Sequence, residues 1–595
     1  MKTTLTRDIA LLLTLVSAAA LGAAGVSCSS GGSGGSSATQ GTGGAGAAGS
    51  GGSGGSAGAG GDGGGFVTVG PNPDGPFADF PAGPQIDMGV PAEAPGLFQG
   101  TPAQPGGPCV AEPPMDALVP TNWTPLRFEW IPPPGHNVFE VRLSVDNQVN
   151  ELVVYTMGTS YTIPVDVWTG LAGHSAGRDI KVSVRSAQID GGQLVAGPFV
   201  GTEGVVHVAP VAAPGSIIYW TTGAPGTNKT ALKGFTIGST DLKTVFSPEI
   251  LGGDTTCVAC HASSPDGLFS FFARDATDQS RRVTARKVDG TAGLPTEAQV
   301  SSVALGLLDR TRQVVPTLSE SHYSAGDAVV VTVMHDPVLT ANRWELVWTD
   351  LHTQDPATGW GILPRVGDPR PVVASPTWWH DGTTLAYTTA PAGGEGVITG
   401  ITDADMTMDI YTVPFNNRQG GNVAPLLGAS DPGLMEFYPV ISPGDALLAF
   451  NRFAPYKVPN LATPDPSDLV WSDSYDEPMA EVYVVPAKGG EPVRVAGNDP
   501  PACVGKASPG LTNSWPRWAP SSEAFEGKRY YWLTFSSKRR DLSNPQLFVS
   551  GVVTRVENGV EVIDKTYPAI YVTSQIEGEN NHTPAWDVFQ IEEPQ

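Results

Sequence analysis

From residue 215 onward one short pattern keeps returning. Pro376-Thr-Trp378 leads to a turn at His380-Asp-Gly382 and then to Leu385-Ala-Tyr387. Pro439-Val-Ile-Ser-Pro-Gly-Asp445 leads to Leu447-Leu-Ala-Phe450, and Pro516-Arg-Trp518 leads, after an insertion, to Tyr531-Trp-Leu-Thr-Phe535. Ser264-Pro-Asp-Gly267 precedes Phe269-Ser-Phe-Phe272, and Ser324-Ala-Gly-Asp327 precedes Val329-Val-Val-Thr-Val333. Each copy reads as an apolar strand, a tight Asp/Gly turn and a second apolar strand. Third strands follow, as at Ile410-Tyr-Thr-Val413, Val482-Tyr-Val-Val485 and Gln546-Leu-Phe-Val549. Copies recur at about 55–65 residues, a repeat period whose units must stack on one another to bury their faces. Second strands at 216–222, 268–274, 329–334, 384–389, 446–451 and 531–537 predict a six-bladed β-propeller. The first copy has no Pro-x-Trp strand ahead of it. Pro584-Ala-Trp586, at the end of the chain, has that spacing and is expected to close the ring.

These Pro-x-Trp and Pro-Asp-Gly copies resemble the TolB-like propeller, and the resemblance covers about 215–595. It implies an exported scaffold with a central channel.

Within the second copy stands Cys257-Val-Ala-Cys-His261. Cys-x-x-Cys-His is the attachment sequence of haem c: two thiols bond to the vinyl groups and the histidine binds iron. Aligning the turns puts His261 in the place that Pro376, Pro439 and Pro516 hold in other copies, at the inner strand facing the channel. A disulfide between Cys257 and Cys260, a zinc site and a redox dithiol are the competing readings. Zinc lacks a second cysteine pair, and the thioredoxin context is absent. Of five cysteines, Cys28 lies in the leader, and Cys109 and Cys503 are expected to pair with each other. That leaves Cys257 and Cys260 for thioethers. A second axial ligand is expected from a neighbouring blade: His582 first, His322 next.

Lys2 and Arg7 precede an apolar run that ends at Gly25-Val-Ser-Cys28, which resembles a bacterial lipobox with lipidation at Cys28. An ordinary signal peptide is the plainer alternative. Residues 1–28 are therefore read as leader and 29–110, rich in Gly, Ser and Pro, as a disordered tether. Residues 111–210 carry alternating runs such as Leu126-Arg-Phe-Glu-Trp130 and Phe139-Glu-Val-Arg-Leu-Ser-Val145. They predict a β-sandwich and resemble a fibronectin type III or immunoglobulin-like module. Residues 211–595 form the propeller, so the whole chain is all-β.

The formal charge of −25 excludes nucleic acid as a partner, since phosphate backbones need a basic face. No Gly-x-Ser-x-Gly elbow, His-Glu-x-x-His pair or phosphate loop points to an enzyme. The expected function is an exported, outer-membrane lipoprotein, monomeric, that carries haem c for electron transfer or redox sensing with an envelope protein partner. The alternative is a non-catalytic surface scaffold that binds proteins or glycans.

Overall fold

The computed structural model describes residues 73–99, 103–223, 229–276, 281–288, 293–311, 315–391, 407–459, 465–589 and 591. The leader, Cys28 and the Gly/Ser run lie outside the described residues.

The N-terminal unit packs a large sheet on a small one. The large sheet orders as Gln85–Ile86, Leu152–Thr156, Val138–Ser144, Asp179–Asp190, Gln193–Val208 and Gln104–Pro105, with Leu118–Val119 also on Gln193–Val208. The small one orders as Cys109–Glu112, Arg127–Ile131 and Ser160–Thr162. Alternation drives this packing: Phe128 and Trp130 point inward from Arg127–Ile131 while Arg127 and Ile131 face water. Helix Val165–His174 closes one end with Trp168 and Leu171, and the Trp168 indole donates to the Trp123 carbonyl (2.7 Å).

The expected tether boundary at residue 110 is corrected here. Gln85–Ile86 runs parallel to Leu152–Thr156, Gln104–Pro105 runs parallel to Gln193–Val208, and Phe80 and Phe98 are buried. A few apolar side chains spaced between prolines suffice to anchor a segment whose average composition reads as disordered.

Six antiparallel sheets follow in order among the described residues, in the sequence expected of propeller blades, and each is called a blade below. Their second strands, Ser216–Thr221, Phe269–Ala276, Val329–His335, Thr384–Ala390, Leu447–Phe453 and Lys528–Ser537, fall where the repeat placed them. The first blade takes its innermost strand from the end of the chain: Asn581–Asp587 pairs antiparallel with Ser216–Thr221, Trp586 opposite Ile217 and His582 opposite Trp220.

Inner strands share one irregularity. In blades four, five, six and one a β-bulge falls at Ser375, Tyr438, Trp515 and Thr583, each with φ between 46° and 57° and each followed by proline. A bulge bends its strand and re-aims a side chain. Two residues past the proline, tryptophan straps its blade to a neighbour. The Trp378 indole donates to Thr317 (3.3 Å) and that of Trp518 to Val440 (3.1 Å), both carbonyls on the preceding inner strand. This strap accompanies two of the three Pro-x-Trp copies, and in the third Trp586 donates to the Pro214 carbonyl instead (2.7 Å).

Sandwich and propeller share a core in which Phe128, Trp168 and Val206 lie in one cluster with Trp532, Val549 and Trp586. Cys109 and Cys503 form a disulfide across the junction, 394 residues apart in sequence. Beside it the Tyr571 backbone N–H donates to Glu112 (2.5 Å), and Arg540 pairs with Glu129 (2.9 Å).

Burial pushes the Glu112 carboxyl up to about 8, while the Tyr571 N–H, Arg540 and Arg539 pull it down and Glu129 adds to the rise. Between about pH 4.5 and 8 the folded protein holds a proton there that the unfolded chain releases, so this site's contribution falls as pH rises through that window. Glu112→Gln keeps the acceptor and removes the titration. Urea unfolding at pH 5 and pH 8.5 should show wild type losing on the order of 4 kcal/mol more than the variant over that range. Equal losses would show that the carboxyl is ionised throughout.

Candidate functional site

Strand Thr255–Ser263 is the innermost strand of blade two and carries the whole Cys-x-x-Cys-His sequence. It pairs with Phe269–Ala276, with Cys257 opposite Asp275, His261 opposite Phe272 and a bulge at Cys260. Cys257, Cys260 and His261 are all buried, at 3%, 4% and 4% exposure. Neither cysteine is in a disulfide. The strand is pinned from blade one, where the Trp220 indole donates to the Val258 carbonyl (2.6 Å) and Thr230 accepts from the Val258 N–H (3.0 Å).

Register places His261 in the slot of Pro376, Pro439, Pro516 and Pro584, with Pro316 ahead of Thr317 in blade three. Five blades fill this place with a residue that has no polar side chain. Blade two fills it with an imidazole whose Nδ1 and Nε2 are both buried without a hydrogen-bond partner. Burial pushes His261 down to about 3, Arg517 adds to the fall, and the nearby Ile218 backbone offsets a little. The ring is therefore neutral at physiological pH, with a lone pair available. The preceding bulge is built at Cys260 without the left-handed residue used in four other blades.

The strap is altered too. Where Trp378 and Trp518 stand, blade two has Ser263, whose hydroxyl donates to Asp587 on the closing strand. Arg517, on the inner strand of blade six, faces the same place. Burial lowers it to about 10, and Asp587, Cys260 and Tyr438 act the other way. Arg517 keeps partial exposure. Sequence reasoning missed Arg517 and Asp587. One signal was present: the middle residue of Pro-x-Trp is Thr377 or Ala585 elsewhere, and Val440 holds the matching place in blade five, but the third copy has arginine.

The two expected axial ligands separate. His582 lies on Asn581–Asp587, and that strand packs beside Thr255–Ser263. Its ring sits between Trp220 (4.4 Å) and Trp515 (5.1 Å), and its Nδ1 has no partner. Burial, then Lys538, pushes it down to about 3. His322 is corrected. It lies in the short helix Glu320–Ser324 on the turn side of blade three, with Nδ1 on Asp327 (2.9 Å) and Nε2 on the Gly382 carbonyl (3.0 Å). Both nitrogens bind the protein, because helix Glu320–Ser324 follows the inner strand and carries the side chain to the Asp/Gly turns.

Chemically the donor set fits haem c: two thiols outside any disulfide, and a neutral imidazole with both nitrogens unpartnered. The room for it is not formed. Phe246, Phe269 and Phe272 pack in the same cluster as both cysteines, and among the described residues no three His, Cys, Asp or Glu side chains converge on a point. A porphyrin would require this strand to part from its covering.

No protein-family model matches the chain, and no curated protein does. Among solved structures it is similar to TolB from Acinetobacter baumannii, at 13% identity over 68% of this chain and 79% of that one, TM-score 0.35. A TolB described as putative, from Agrobacterium tumefaciens, matches at 13% identity over 48% and 88%, TM-score 0.28. A prolyl endopeptidase matches at 14% over 60% and 49%, TM-score 0.30. Likeness at this level carries no argument about activity.

The unpartnered imidazole has a measurable consequence. In protein made without haem, His261→Leu should raise stability at pH 7 by about 1–3 kcal/mol, by removing an unsatisfied buried group. Wild type should also lose stability as pH falls from 6.5 toward 3, since only the unfolded ring takes up a proton there. The variant should lose less. Urea titrations at pH 7 and pH 4.5 measure both, and a less stable variant with an unchanged acid slope would refute the assignment.

Proposed function

We propose that this chain is an exported, lipid-anchored envelope protein, in which an immunoglobulin- or fibronectin-like sandwich supports a six-bladed TolB-like propeller carrying haem c. Its role is electron transfer or redox sensing with an envelope protein partner. The supporting observation is the break in internal symmetry at blade two. A slot that is proline in five blades holds a buried, unpartnered histidine, one residue after Cys260 and four after Cys257. Local rules broken at a cost are expected at functional positions.

In this reading Cys257 and Cys260 would hold the group through thioethers, His261 would bind its iron and His582 would supply a second nitrogen. Haem c, when bound, supplies one-electron redox chemistry. The chain's own contribution is burial, which raises the cost of charge at the iron, and the positive field of Arg517 beside Cys260. Cys28 anchors the protein to the outer membrane, the acidic charge turns it from nucleic acids, and it acts as a monomer.

Expression of the full chain with a cytochrome c maturation system tests this. The expected product is coloured, carries covalent haem by intact mass, and is low-spin. His582→Ala should convert it to high-spin with the attachment kept. Colourless protein of unmodified mass overturns the haem reading, and an unchanged low-spin spectrum overturns His582.

The second reading, a non-catalytic surface scaffold, is favoured by the shared core and the disulfide that join sandwich and propeller. Affinity capture from envelope extracts separates the two. Partners that persist with Cys260→Ala support the scaffold, and partners lost with it support the redox role.

A further inference from the structure

A cavity of about 280 Å³ opens between the small sheet of the sandwich and blade six, beside the Cys109–Cys503 disulfide. It stands at the small end of ligand cavities, which span about 300–1,000 Å³. In a chain of net charge −25 its wall gathers Lys506, Arg539 and Arg540. The nearby carboxylates are largely committed. Glu129 binds Arg540 (2.9 Å) and Arg127 (2.8 Å), and Glu577 reaches Arg540 (3.2 Å) from a side chain 71% exposed. Glu112 accepts from the Tyr571 N–H.

Arg539 is the decisive residue, with 7% exposure. Its guanidinium lies over the Phe548 ring, 4.5 Å from the centroid. Nε donates to Ser537 (3.0 Å), and Nη2 donates to the Gly497 carbonyl (2.6 Å) and Asn513 (2.9 Å). Nη1 has no partner, and neither has Nε of Arg540. The Lys506 ammonium donates to the carbonyls of Arg539 and Arg540 (2.7 and 3.0 Å), which fixes the backbone carrying both. Lys506, Arg539 and Arg540 share one wall of the cavity, and their charge favours an anion there. Ile131, Val504 and Phe548 line the remaining wall and suit a short apolar chain.

We propose that this interdomain cavity binds a carboxylate with a short apolar tail, its charge held by the basic wall of Lys506, Arg539 and Arg540. Two sources share that chemistry: a free short-chain carboxylic acid and the C-terminus of a peptide. The site is independent of blade two.

Thermal unfolding and calorimetry on the full, oxidised chain test it, with butyrate against butyramide at matched ionic strength, and Ala-Pro-Val acid against its C-terminal amide. Both acids should raise the melting temperature by a few degrees, and neither amide should. A shift from the tripeptide acid alone assigns the site to a peptide C-terminus, and a shift from butyrate to a free acid. Arg539→Gln should abolish the response. Ile131→Trp fills the cavity from an exposed position and should do the same in a protein that folds normally. Equal shifts from the amides or from chloride, no shift from either acid, or a response that survives Ile131→Trp would overturn the proposal.

Discussion

Everything in the propeller depends on one pairing, that of Asn581–Asp587 with Ser216–Thr221. Without it blade one exposes an unpaired apolar edge and the ring stays open. The two strands lie far apart in sequence, yet loop closure costs only about 0.6 kcal/mol more for each doubling of length. A terminal strand is therefore an economical lock. It also brings Asp587 to Ser263 and Trp586 to the Pro214 carbonyl, so the pairing that closes the ring also ties blade one to blade two and to the sandwich linker.

Inside that ring blades four, five, six and one repeat a bulge followed by proline, and in blades four and six an indole two residues on reaches back to the neighbour. The repeat serves as an internal control. Where blades four, five, six and one agree, the residues describe what an inner strand needs in order to pack. Where blade two departs, with Cys260, His261 and Ser263 in the three places, packing alone gives no reason for the change. The imidazole is buried without a partner and the thiols sit in a phenylalanine-lined core. The proposed haem attachment would give these three residues a common reason.

The sandwich is not an appended spacer. Its core runs into that of blades one and six, a disulfide crosses the junction, and Glu112 is carried into the propeller's surface as an acceptor for Tyr571. Burying a carboxyl raises its affinity for a proton, so the junction couples domain docking to pH. The same docking creates the walls of the Arg539 cavity, a place neither unit has alone.

What the residues determined by themselves was periodic or local. Turn residues at regular spacing set the second strands of all six blades, and Pro584-Ala-Trp586 announced the closing strand, because strand and turn preferences act over a few neighbours. Cys257, Cys260 and His261 stood out for the same reason. Tertiary structure decided what depends on direction and on distant partners. His582 and His322 were both candidates as neighbours of blade two, His582 ahead, but a short helix carries His322 to the turn side while a strand holds His582 against Trp220 and Trp515. Phe80 and Phe98 drew a Pro-rich stretch into the sandwich through contacts that composition cannot express. Arg517 and Asp587 meet Cys260 and Ser263 only because the ring closes. Their positions are long-range consequences of packing, and no local pattern encodes them.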